Sequence, residues 1–161
     1  MKIDLREAFS YQPYSKEFDF DIDLSEIDYF NNISGKAQVK VFISNHANIV
    51  TSDMKIDCEY EAVCDRCLDE FKSNLKISSL KDVVTSVQDD DLDVILVDKD
   101  FIFDAKEEAI TQIIFSFPQK YLCKEDCKGL CPKCGCNLNL SKCDCDDKEI
   151  DPRLEVLKNL F

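Results

Sequence analysis

Seven of the ten cysteines of this 161-residue chain fall in one run, CKEDCKGLCPKCGCNLNLSKCDC, from Cys123 to Cys145. Two more form Cys64-Asp-Arg-Cys67 far upstream, and Cys58 stands apart. Thiols at this density are bridged, metal-bound or redox-active, and each state demands a different fold. The charged N-terminus, MKIDLREAFSYQ, lacks the roughly 7–15-residue apolar run of a signal peptide. No apolar stretch approaches the ~18–20 residues of a membrane helix. A cytoplasmic chain with no membrane association is therefore expected, and thiols stay reduced in that compartment. Metal binding is expected ahead of disulfides, and zinc ahead of an iron–sulfur cluster.

Spacing assigns the ligands. In Cys131-Pro-Lys-Cys134-Gly135 the two thiolates of a C-x2-C turn converge on one ion, and the glycine supplies the positive φ that such a turn needs. Cys143-Asp-Cys145 follows eight residues later, so Cys131, Cys134, Cys143 and Cys145 make the first-choice zinc site. Cys64, Cys67, Cys123 and Cys127 have the count for a second site linking two parts of the chain. The rival arrangement is a single zinc, with Cys123 and Cys127 as alternative ligands and Cys64 and Cys67 free. Cys58 reads as a core residue. Cys136 is surplus, an alternative to Cys134 whose spacing fits less well. Cys127, Cys131 and Cys134 also match the C-x3-C-x2-C of radical enzymes, but only 27 residues follow Cys134, too few for the barrel such enzymes need.

Before the cysteine run the pattern is that of strands. Ala37, Val39, Val41 and Ile43 alternate with polar residues, as do Met54, Ile56, Cys58, Tyr60, Ala62 and Cys64 with Lys55, Asp57, Glu59 and Glu61. Phe71, Leu75 and Ile77 continue the period, and Phe18, Phe20, Ile22 and Leu24 alternate with acids. This period of two is the mark of half-buried antiparallel strands. Turns are expected at Asn45–Asn48 and at Cys64–Cys67, short strands at 93–97 and 101–103, and an exposed loop at Asp89–Asp91. The period then changes. Asp104 to Glu107 has the form of a capping box, Ala109, Ile110, Ile113, Ile114 and Phe117 follow at helical spacing, and Pro118 ends the helix. Asp151-Pro152 opens an expected last helix. The expectation is an α+β protein: a curved antiparallel sheet and an amphipathic helix over residues 1–118, then a zinc-bound lobe, 119–161, ending in a short helix.

The net charge of −13 is unevenly spread. Residues 118–145 carry five lysines against three acids, and the remainder is acidic. Such a body suits a basic partner and disfavours broad tracking of phosphates. The lysines Lys124, Lys128, Lys133 and Lys142 are the candidate contacts to RNA or another partner. Catalysis has little support. His46 is the single histidine and sits in an expected turn, three glycines make no phosphate loop, and a four-thiolate zinc has no open position for water. No enzymatic activity and no small-molecule substrate are expected.

Cys64-Asp-Arg-Cys67-Leu68-Asp-Glu-Phe71 resembles the C-x-R-C-L-x-x-F motif of the YceD family, the proteins named for accumulation of large-subunit ribosomal RNA. So does the run from Pro118 through Cys123, Cys127, Gly129-Leu-Cys131-Pro-Lys-Cys134-Gly135, Leu138-Asn139 and Cys143-Asp-Cys145 to Asp151-Pro-Arg153. The Gly-Leu-Cys-Pro-x-Cys-Gly form is similar to the Gram-positive-type branch, and the likeness spans about Ala37 to the end. The resemblance implies a ribosome-biogenesis factor acting with large-subunit ribosomal RNA precursor. It implies no catalytic residues. The acidic body raises a second possibility, a chaperone that holds a basic large-subunit ribosomal protein.

Overall fold

The computed structural model describes residues 1–30, 33–86 and 93–145. In chain order these form β1 (Lys2–Asp4), α1 (Arg6–Ser10), β2 (Tyr14–Asp23), a 3-10 turn (Leu24–Glu26), β3 (Ser34–His46), β4 (Ile49–Val63), β5 (Glu70–Val84), β6 (Val94–Leu96), β7 (Ile102–Asp104) and α2 (Ala105–Ser116). The fold is α+β, with a mostly antiparallel five-stranded sheet in the order β2-β3-β4-β5-β6 and a two-stranded ribbon of β1 with β7. The expected last helix at 151–161 and the loop at Asp89–Asp91 lie outside the described residues.

Alternation in the sequence becomes alternation in burial. On β3, Ala37, Val39, Val41 and Ile43 are buried, and on β4 Met54, Ile56, Cys58, Tyr60 and Ala62 join them. Register pairs Ala37 with Cys58 and Val39 with Ile56, so both strands send the same face into one core. The expected turn after Asn45 closes as a two-residue hairpin, with Ala47 and Asn48 both at positive φ (53° and 66°), the geometry that matches the twist of the flanking strands. The strands extend beyond the expected spans because register and hydrogen bonding carry them past the last clear apolar position. One pairing departs from the antiparallel expectation: β6 lies parallel to β5, Val83 opposite Ile95. A period of two tells which residues face the core and is blind to the direction of the neighbouring strand.

Helix α2 covers this core with Ala105, Ala109 and Ile113 buried. Asp104 is its N-cap, accepting from the amides of Lys106 and Glu107 at 3.2 and 3.3 Å, which satisfies two of the donors a helix start leaves open. Lys81 Nζ donates to Glu108 at 2.9 Å and ties the helix to β5. The helix ends at Ser116, and Phe117 then packs its ring on Phe30 at 4.6 Å and on Tyr60 at 4.9 Å. That aromatic cluster fixes where the chain leaves the helix, and so where the cysteine segment begins. Among the described residues no helix is long and apolar enough to cross a membrane.

Candidate metal centres

The β4–β5 hairpin makes one half of the first centre. Strand β4 ends at Val63, and a tight turn follows in which the Leu68 amide donates to the Cys64 carbonyl and the Cys64 amide to the Asp69 carbonyl, both at 2.9 Å. Leu68 takes a positive φ of 61° to close it. Cys64 and Cys67 therefore point to one side of the turn. The other half comes from the segment after α2, anchored on the same turn by reciprocal bonds. The Asp65 amide donates to the Tyr121 carbonyl and the Tyr121 amide to the Asp65 carboxylate, each at 2.8 Å. Arg66 donates to the Cys127 carbonyl at 2.9 Å, and its own carbonyl accepts from the Leu130 amide at 3.1 Å. Gly129, at φ 75°, lets the segment pass so close that an added Cβ would lie 3.0 Å from the Arg66 carbonyl oxygen.

The result is a proximal cluster of Cys64, Cys67, Cys123 and Cys127, with all four Sγ atoms within 4.8 Å of one another. Cys64 Sγ is 3.8 Å from Cys127 Sγ, and Cys67 Sγ is 3.6 Å from Cys123 Sγ. A disulfide needs about 2.05 Å. Four thiolates each about 2.3 Å from a tetrahedral zinc stand about 3.8 Å apart, a spacing with which these distances are compatible. Cys64, Cys67 and Cys127 expose 0%, 3% and 3% of their surface. Burial pushes the Cys64 thiol up, but amides of Cys123, Cys67 and Arg66 outweigh it and hold the group down to about 6. Asn139 Nδ2 donates to Cys127 Sγ at 3.3 Å while its Oδ1 accepts from the Lys128 amide at 2.9 Å. These donors favour the thiolates of Cys64 and Cys127, the form that binds metal, whereas burial and the neighbouring thiols push Cys67 and Cys123 up.

The second, distal cluster is built by local turns. Gly135, at φ 74°, closes the C-P-K-C-G turn with its amide on the Cys131 carbonyl at 2.9 Å, and the Cys131 amide reaches the Cys136 carbonyl at 2.8 Å. The Lys133 amide donates to Cys131 Sγ at 3.4 Å and the Cys145 amide to Cys143 Sγ at 3.3 Å. The mutually close set is Cys131, Cys134, Cys136 and Cys143, within 4.8 Å. Cys143 Sγ lies 3.3 Å from Cys131 Sγ and 3.5 Å from Cys134 Sγ. Cys145, the fourth ligand expected from spacing, lies outside that mutually close set, where Cys136 stands instead, and is tied to it through its amide on Cys143 Sγ. Cys134 is held down to about 6 by the Cys136 amide and by neighbouring thiols, those of Cys136, Cys143 and Cys131.

The structure thus gathers six of the seven thiols of the cysteine run, all but Cys145, into one of two clusters, and both could hold a metal ion and are compatible with zinc. Cys58 is buried in the sheet, its thiol pushed up to about 11 by burial first and by Asp57 second. Lys124, Lys128, Lys133 and Lys142 are exposed on the segment that carries the thiols. Sequence reasoning missed the supporting residues Asp65, Asn137 and Asn139. Asn137 Nδ2 bonds the Asp69 carboxylate at 2.7 Å, and only the Leu138-Asn139 portion of the motif hinted that side-chain amides mattered here.

A family profile described as large ribosomal RNA subunit accumulation protein YceD matches residues 52–161, which include both centres. The chain belongs to the YceD family. A curated relative, large ribosomal RNA subunit accumulation protein YCED homolog 1, chloroplastic, from Arabidopsis thaliana, is 51% identical over 39 residues. That match covers 24% of this chain and 12% of the relative, so the chain spans about an eighth of that relative's length. No solved structure matches. The name of the YceD family supports a role in ribosome biogenesis and describes an accumulation of RNA, not a reaction.

Proposed function

We propose that this chain is a non-enzymatic, zinc-stabilised ribosome-biogenesis factor that supports accumulation of large-subunit ribosomal RNA in the cytoplasm. The observation that carries the reading is the pair of four-thiol clusters inside the residues that match the family. A four-thiolate zinc is closed to water, so its work is to hold shape. The shape it would hold is a segment, 119–145, with no helix or strand and few buried apolar side chains of its own. Lys124, Lys128, Lys133 and Lys142 lie exposed on that segment and are the proposed contacts to large-subunit precursor RNA. Each four-thiolate zinc carries a charge of −2, which offsets the lysines. The contact is therefore to a structured or single-stranded ribosomal element and not to phosphates at large.

The test is depletion of the protein in its own cells. The ratio of large- to small-subunit ribosomal RNA should fall, and the wild-type chain should restore it. A chain with all four lysines changed to Glu should fail to restore it or to co-sediment with large-subunit precursors, with zinc content intact. An unchanged RNA ratio on depletion would overturn the function, and normal co-sedimentation of the lysine variant would overturn the RNA contact.

A second reading rests on β2, which is an edge strand of the sheet. Its exposed residues Glu17, Asp19 and Asp21 form an acidic row, joined by Asp23. An acidic edge fits a basic extended segment, as a chaperone for a large-subunit ribosomal protein would require. Changing Glu17, Asp19 and Asp21 to Lys should then abolish capture of that protein while RNA association persists.

A further inference from the structure

A tetrahedral zinc takes four thiolates, yet the distal loop brings five: four mutually close, and a fifth, Cys145, tied by its amide to Cys143 Sγ. Cys131, Cys134 and Cys143 form its common base, and two further thiols face that base from different stretches of chain. Cys136 is in mutual reach of all three. Cys145 follows Cys143 by two residues, and its amide donates to Cys143 Sγ at 3.3 Å. Both are half-buried, so neither is a core residue in the manner of Cys58.

The two arrive on different arms of the loop. Cys136 comes on the turn closed by Gly135, where its carbonyl accepts from the Cys131 amide at 2.8 Å. Cys145 comes on the opposite arm, its amide donating to Cys143 Sγ at 3.3 Å, the kind of bond a metal-bound thiolate accepts. A fifth thiolate on one ion would add a negative charge to a complex already at −2, within a few ångströms. Only one of the two can therefore bind at a time.

The geometry points to a five-thiol centre in which Cys136 and Cys145 are interchangeable fourth ligands, so that a zinc-loaded chain always keeps one free thiol beside the ion. This rests on the zinc reading above. Exchange needs no oxidant: one zinc–sulfur bond breaks as another forms, the incoming thiol gives up a proton and the departing thiolate takes one. The free thiol is a site for soft electrophiles, and its modification leaves zinc held by the other four.

The test uses the full zinc-loaded chain and N-ethylmaleimide under native conditions, with peptide mapping and zinc counting. Of ten cysteines, eight bind zinc and Cys58 is buried, which leaves one. The expected result is one maleimide per chain, divided between Cys136 and Cys145, with two zinc ions retained. Cys136→Ser and Cys145→Ser should each keep two zinc ions and lose that label, and the double variant should keep one ion. Cobalt-loaded single variants should both keep the absorption of a tetrahedral four-thiolate ion. If Cys145→Ser alone, or Cys136→Ser alone, falls to one zinc, the interchange is wrong, and labelling confined to one of the two thiols says the same. A double variant that keeps two ions would also overturn it. Wild-type protein without zinc would defeat the zinc reading and this inference together, whereas two ions in the wild type and one in a single variant defeat only the interchange.

Discussion

The proximal and distal centres present the same chemistry from opposite kinds of chain. The proximal thiols come from a sheet hairpin and a distant segment, with Cys123 56 positions after Cys67 and Cys127 63 positions after Cys64. Three of the four are buried and Cys123 is half-buried, and side chains from both sides lock the junction. The distal thiols come from fifteen residues of local turn, and Cys134 is exposed. The first centre is assembled by the fold. The second is assembled by spacing within one loop.

The comparison breaks first under loss of a ligand. Cys64→Ser should cost the proximal ion and the docking of 119–130 on the hairpin. Structural zinc contributes on the order of 10–16 kcal/mol of apparent binding energy. Cys143→Ser should cost the distal ion alone and leave the hairpin junction intact. Zinc counting with hydrogen exchange over residues 64–70 separates the two, and equal loss of protection in both variants would erase the distinction. Adding Cys127→Ser to Cys64→Ser should change little, because a site short of one thiolate is already lost.

Chelation should come in two phases. The exposed distal ion should leave first, with exchange rising over 131–145, and the proximal ion later, while β3, β4 and β5 stay protected throughout. A single phase, or early release at Cys64, would put the order in reverse.

Two glycines sharpen the contrast at smaller scale. Both have positive φ, which costs an L-residue about 1–2 kcal/mol. Gly135→Ala meets nothing within 4 Å, so that cost should be the whole effect. Gly129→Ala must also push against the Arg66 carbonyl at 3.0 Å and should destabilise more, with weaker proximal zinc binding. Thermal melts of the two variants decide it, and equal shifts would mean the junction is not tight. The smallest effect belongs to Asn139→Ala. Its loss of bonds to the Lys128 amide and Cys127 Sγ should cost about 1 kcal/mol and raise proximal zinc loss under competition, with the distal ion untouched.

The strands that bury one face were legible in the sequence, since Val39, Ile56 and their neighbours alternate over many residues. The helix start at Asp104 and its end before Pro118 were equally plain, because caps and proline act locally. β1 and α1 were not, as three and five residues carry too little period to read. The pairing of Ile3 with Phe103 joins positions a hundred residues apart, and no local signal encodes it. The metal centres followed the same rule in part. Cysteine count and the C-x2-C-G turn pointed to the ligand groups. The choice between Cys136 and Cys145 depends on where two loop arms meet in space, and residue spacing does not contain that.

The long separation within the proximal centre also sets a timetable. At roughly 5–20 residues per second, a ribosome needs on the order of 3–13 s to move from the hairpin thiols to their partners. Throughout that interval Cys64 and Cys67 have emerged without Cys123 or Cys127, and an ion reaching them finds half of its ligands. The five distal thiols, by contrast, are made within about 1–3 s of one another. Newly made chains therefore pass through a stage in which the two hairpin thiols exist without their two partners.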